Sequence, residues 1–268
     1  MKKLLLLFSC FIVFFFILAP QAIADDDYAK TYQTYIDKTG LYQTAHNDYL
    51  TARSAYLASG SLDSKNKAMT ATLKMLQTRD DLTVAYLTAI KVKVTKTDGV
   101  SAGDKSSLTS QLDTQIAWYT SHNTRLTSAG SLDDLVTDSD EAKDQYNKET
   151  LFLVYSDIIS MGAGNNSFMR NELQNVISSL QSKIAEIKGN QDKDVSAIER
   201  AMVDIQNKLS RSQTKDDDAK NAINSIKATD QNKDTKFQDA ELLLSDSNSY
   251  LKEATQNLLQ IITQIKTN

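Results

Sequence analysis

The chain has 268 residues, 41% of them hydrophobic and 24% charged, with 30 Lys+Arg against 34 Asp+Glu and a formal net charge of −4. The charges are interspersed, so the basic patch that nucleic acid or anionic lipid would require is missing, and both are set aside as partners. The one proline, Pro20, and the one cysteine, Cys10, both fall in the first 24 residues, and only eight glycines serve the whole chain. A chain with so few breakers and no later cysteine must be stabilised by packing alone, and its long uninterrupted stretches predict an all-α fold.

Residues 1–24 read as an export signal. Lys2 and Lys3 form the positive start, Leu4 to Leu18 is an apolar run broken by Ser9 and Cys10, and Ala22-Ile23-Ala24 is a small-x-small cleavage pattern. Cleavage is expected after Ala24. Loss of two lysines and no acid then leaves a mature chain of net charge −6. The rival reading keeps Leu4 to Ala24 as an uncleaved anchor. Leu7-Phe8-Ser9-Cys10 superficially resembles a lipoprotein box, but the apolar run continues past Cys10, which argues against lipidation. The short Met-Lys-Lys start is of a bacterial type and points to the periplasm, the cell surface or the exterior.

The first mature helix is expected at about 26–58. Tyr28, Tyr35, Tyr42, Tyr49 and Tyr56 recur every seven residues, and heptad spacing keeps such a stripe facing a partner helix. Ser59-Gly60-Ser61 ends it, with Gly60 suited to the closing left-handed position and Ser61 to capping the next helix. Helices follow at about 62–97, with Met69, Leu73, Leu76, Leu87, Ile90 and Val94 inward, and at about 105–128, with Leu108, Leu112, Ile116, Tyr119 and Leu126 inward. The turn chemistry then recurs, Gly130-Ser131-Leu132-Asp133 lying 70 residues after Gly60-Ser61-Leu62-Asp63. A duplicated hairpin or two independent choices of good capping residues would both produce that echo.

A fourth helix from about 132 is expected to break at Gly162-Ala163-Gly164-Asn165-Asn166, the strongest punctuation in the mature chain. The expected division is therefore an N-terminal helical bundle at 25–165 and C-terminal coiled-coil helices at 166–268. Met169, Leu173, Val176, Leu180, Ile184 and Ile187 form the first stripe beyond the break. Val195, Ile198, Met202, Ile205 and Leu209 continue it, with Ala219, Ile223 and Ile226 in phase after a polar interruption. Phe237, Ala240, Leu244, Ser247, Leu251, Ala254, Leu258, Ile261 and Ile265 keep a 3-4 alternation. With no apolar residue in Thr229 to Asp234, an antiparallel hairpin turning near 229–235 is favoured over one very long helix.

Among candidate sites the sharpest is Asp230, Asn232, Asp234 and Glu241, at positions 1, 3, 5 and 12 of a calcium loop. It resembles the EF-hand over twelve residues, but Thr235 stands where that loop needs glycine, and the reading adopted is an acidic turn. His46 and His122 lie far apart with no cysteine and no carboxylate pairing visible in sequence, so no zinc or nucleophile constellation is expected. No catalytic, cofactor-binding or metal-ligating residues are assigned, and a bundle haem lacks an attachment motif. The tyrosine stripe and Trp118 read as packing, and Leu151 to Met161, which contains Asp157, as a buried core helix. Asn165-Asn166-Ser167 matches a glycosylation sequon of little weight in a chain with a bacterial leader.

The function expected is that of an exported, non-enzymatic structural or partner-binding protein of the cell envelope. Its partner would be another protein or an envelope component, with no nucleic acid and no membrane contact after signal cleavage, and the C-terminal seam offers a route to self-association. The alternatives are a secreted membrane-active protein using 151–164 and a calcium-responsive module using 230–241.

Overall fold

The computed structural model describes residues 26–191, 195–227 and 229–267, so the expected leader and its cleavage site lie outside the described residues. Every regular element among them is helical: α1 (Asp26–Ser59), α2 (Leu62–Lys96), α3 (Ala102–Arg125), α4 (Leu132–Gln145), α5 (Leu151–Gln191), α6 (Ser196–Asn224) and α7 (Lys233–Thr267). The all-α helical bundle predicted from composition is the fold observed. No described helix is long and apolar enough to cross a membrane.

Serine caps start three helices, at Ser61 and Ser131 as the recurring turn suggests and at Ser101 ahead of the start expected at about 105. The hydroxyls of Ser61, Ser101 and Ser131 accept from the backbone N–H of Ser64, Asp104 and Asp134, satisfying donors that a helix start leaves orphaned. Gly60 closes α1 with φ +58°. α1 and α2 then pack antiparallel, with Tyr35 against Tyr86 and Lys38 bonded to Asp81.

The fourth helix does not break at 162–166. α4 passes through one π turn, Tyr146–Thr150, into α5, which runs on to Gln191. The resulting rod of residues 132–191 is about 90 Å long at 1.5 Å per residue. Its glycines admit close neighbours instead. A Cβ on Gly164 would lie 2.5 Å from Val100 Cγ2 and 3.0 Å from Val100 N, and one on Gly162 would lie 2.5 Å from Leu244 Cδ1. The α2–α3 loop enters this gap through Gly99, whose φ of +74° disfavours a side chain. Glycine within a helix costs about 1 kcal/mol against alanine, but helical packing on both sides outweighs a local preference of that size.

Two larger cores lie along α5. The first joins Leu87, Ile90 and Val94 of α2, Leu108, Leu112 and Tyr119 of α3, and Leu151 to Met161 of α5 to Ala219, Ile223, Phe237 and Ala240. It therefore draws on both sides of the expected 165/166 division. The second is a three-helix seam of Ile177, Ile184, Met202, Ile205, Leu209, Leu251, Ala254, Leu258 and Ile261. Here the expected stripe on α5 is partly out of phase. Met169 and Val176 are exposed at 38% and 39%, whereas Arg170 and Ile177 point inward at 8% and 0%. The α6–α7 hairpin forms as favoured, turning between Asn224 and Lys233.

Candidate functional site

The densest chemistry sits where α3 crosses α2 and α4. One face of α3 carries Gln115, Trp118, Tyr119 and His122 at helical spacing, and all but the half-buried Trp118 are buried. His122 is 1% exposed. Its Nδ1 lies 2.5 Å from Asp80 Oδ2, and its Nε2 donates to the Asp138 carbonyl at 3.0 Å. The Trp118 indole stacks on the ring at 5.0 Å between centroids and an angle of 10°. Asp80 is fully buried, its Oδ1 without a hydrogen bond and 3.5 Å from Arg79 Nε. Spacing along the chain reveals no such carboxylate partner, because Asp80 and His122 come from different helices. With Nε2 already donating to a carbonyl, His122 has no free nitrogen from which to act as a general base in this arrangement.

Beside it, one turn apart on α4, stand Asp138 and Glu141. A nitrogen of His122 and a carboxylate oxygen of each lie within 4.8 Å of one another. Glu141 Oε1 accepts from Arg125 at 2.9 Å, and Arg79 reaches Ser139 Oγ at 3.2 Å. Deeper in, the π turn places Thr150 to donate to Gln115 Oε1, which also accepts from Gln145, while Tyr119 meets the Thr150 hydroxyl. A π turn leaves no signature in composition, so sequence reasoning passes over this polar layer.

The residues of the calcium-like spacing are not gathered around a common point. Asp230 Oδ2 accepts from Lys236 Nζ at 2.6 Å and from the backbone N–H of Lys227, and the lysine holds its carboxyl below the usual range. Asp234 accepts from the Tyr155 hydroxyl at 2.8 Å. Both Thr235 and Glu241 are in helix α7, so the would-be loop is mostly helix. Half-burial nevertheless pushes Glu241 up to about 7.

The tyrosine stripe faces α2 and is its own aromatic ladder, Tyr28 on Tyr32, Tyr32 on Tyr35 and Tyr35 on Tyr86. His46 lies between Tyr42 and Tyr49. The apolar segment of α5 is spent in the first core, with Val154 and Ile159 each 1% exposed. Within it Asp157 is fully buried with neither carboxylate oxygen hydrogen-bonded, and burial pushes its carboxyl up to about 8.

The polar interruption in the α6 pattern is a buried layer. Arg170 pairs with Asp216 and donates to Ser212, Asn166 donates to the other oxygen of Asp216, and Ser212 meets Ser247. Asn166, inside the sequon, is thus committed to the core. Comparison of the chain with family models, with curated proteins and with solved structures finds no match in any of the three.

Proposed function

We propose that this chain is an exported, non-enzymatic helical protein of the cell envelope that serves as a structural or partner-binding element, presenting the face of a long helix to another protein. The observation that carries the reading is α1. This 34-residue helix packs chiefly on α2, and its other side leaves Ile36, Leu50 and Leu57, at multiples of seven, exposed at 41%, 44% and 66%. Apolar side chains repeated along an open helix face suit a partner helix that spreads its affinity over several turns. The leader pattern of residues 1–24 supports export.

The test is site-specific photo-crosslinking of the exported protein in its native envelope, with the probe at Leu50, at Leu57, and at Lys183 on α5 as an off-face control. Discrete adducts from the α1 positions alone are the expected result. No adduct from α1, or the same adducts from Lys183, would sink the proposal.

A further inference from the structure

We propose that His122, Asp138 and Glu141 form a divalent transition-metal site, of the kind that takes zinc, clipping α3 to α4. Imidazole with two carboxylates is a ligand set of the zinc class, and the arrangement leaves a further position open to water. Three features make the imidazole the fixed point of the site. Asp80 holds Nδ1 at 2.5 Å, Trp118 lies flat on the ring, and the side chain is 1% exposed. With Nδ1 held by Asp80, Nε2 is the nitrogen that a cation would take, in exchange for the proton it now donates to the Asp138 carbonyl of α4.

A buried carboxylate behind a metal-binding histidine sets its tautomer and raises its basicity. Asp80 has that placement: its Oδ2 holds Nδ1, while its Oδ1, buried without a hydrogen bond, lies 3.5 Å from Arg79 Nε. The donor atoms lie within 4.8 Å of one another. A cation equidistant from three atoms so spaced would lie about 2.8 Å from each, and bonds of about 2.1 Å need each donor to move inward by less than about 1 Å. Glu141 is exposed and Asp138 half-buried, so rotation of two surface side chains supplies most of that contraction. Uptake displaces the Nε2 proton to solvent, and the Asp138 carbonyl, in mid-helix, keeps its helical partner.

The charges facing the site are mixed. Arg125 holds Glu141 Oε1 at 2.9 Å, and Arg79 lies beside Asp80. Arg125 is therefore the competitor that a cation must displace.

Zinc titration of the metal-free exported protein by calorimetry tests the proposal, with cobalt absorption as a second readout of imidazole and carboxylate coordination. One Zn2+ per chain is expected. Asp138→Asn and Glu141→Gln should each weaken it by at least about tenfold, Arg125→Ala should tighten it, and Glu172→Gln, elsewhere on α5, should leave it unchanged. Glu141 is at the surface, so circular dichroism of Glu141→Gln should match the parent and separate lost binding from lost folding. Absence of saturable one-site binding would overturn the proposal, and so would an affinity that neither α4 variant changes.

Discussion

Asp157→Asn should make the protein more stable at neutral pH and should remove part of its pH dependence. The carboxyl is fully buried and makes no hydrogen bond, and its value of about 8 in the fold stands against 3.8 in the unfolded chain. Raising the pKa of an acid on folding means that the unfolded state loses its proton first. Below about pH 4 both states are neutral and ionisation adds no penalty; that penalty then grows by about 1.4 kcal/mol per pH unit and levels off above about pH 8. At pH 7 it amounts to about 4 kcal/mol. Asparagine keeps the shape but buries an amide without partners, at roughly 1–3 kcal/mol, so the net gain at pH 7 is about 1–3 kcal/mol. That corresponds to a rise in Tm of roughly 2–10 °C for a chain of this size. The decisive measurement is urea unfolding followed by circular dichroism at pH 5 and pH 7, where the advantage of the variant should grow by about 2.7 kcal/mol. Glu241, raised in the same sense, contributes equally to both proteins and drops out of that difference. An advantage that does not change between the two pH values would refute the argument, because Asp157 would then be charged or partnered in the native state.

Gly164→Ala should destabilise the fold by about 1–3 kcal/mol, because its methyl would meet Val100 and the α2–α3 backbone. Gly40→Ala, in open space on α1, should stabilise it by about 0.5–1 kcal/mol; equal shifts in thermal melts would contradict the packing role of Gly164. Asp216→Ala strands Arg170 in the three-helix seam and should cost about 3–5 kcal/mol, whereas Arg170→Met with Asp216→Leu should be close to neutral in chemical denaturation. If the single variant proves neutral, the buried pair has been misread. Residues 166–268 expressed alone retain every residue of the second core but lose the stack of Tyr155 on Phe237. The fragment should therefore be helical, with faster amide exchange at the end of α6 and the start of α7 than in the full chain, and a fragment without helix would mean that its stability depends on the first core.

The helical class, the caps at Ser61 and Ser131, the Gly60 turn and the 3-4 seam of α7 are legible along the chain because each depends on residues within one or two helical turns of one another. The same local reasoning misplaces the break at Gly162 and Gly164. Glycine weakens a helix by about 1 kcal/mol wherever it stands, and whether it ends one depends on Val100 of the α2–α3 loop and Leu244 of α7, which approach from elsewhere in the fold. It also misplaces the α5 stripe, since Met169 and Val176 satisfy the apolar pattern while the inward positions hold Arg170, whose charge is tolerated only because Asp216 on α6 answers it. The calcium-like spacing is real in sequence, yet α7 begins at Lys233 and draws Asp234 toward Tyr155, scattering the acids. His122 gains Asp80 from α2 and Asp138 and Glu141 from α4. Periodicity determines which face of a helix is apolar; the partners of its polar side chains are set by how helices distant in sequence cross, and that is a property of the tertiary structure alone.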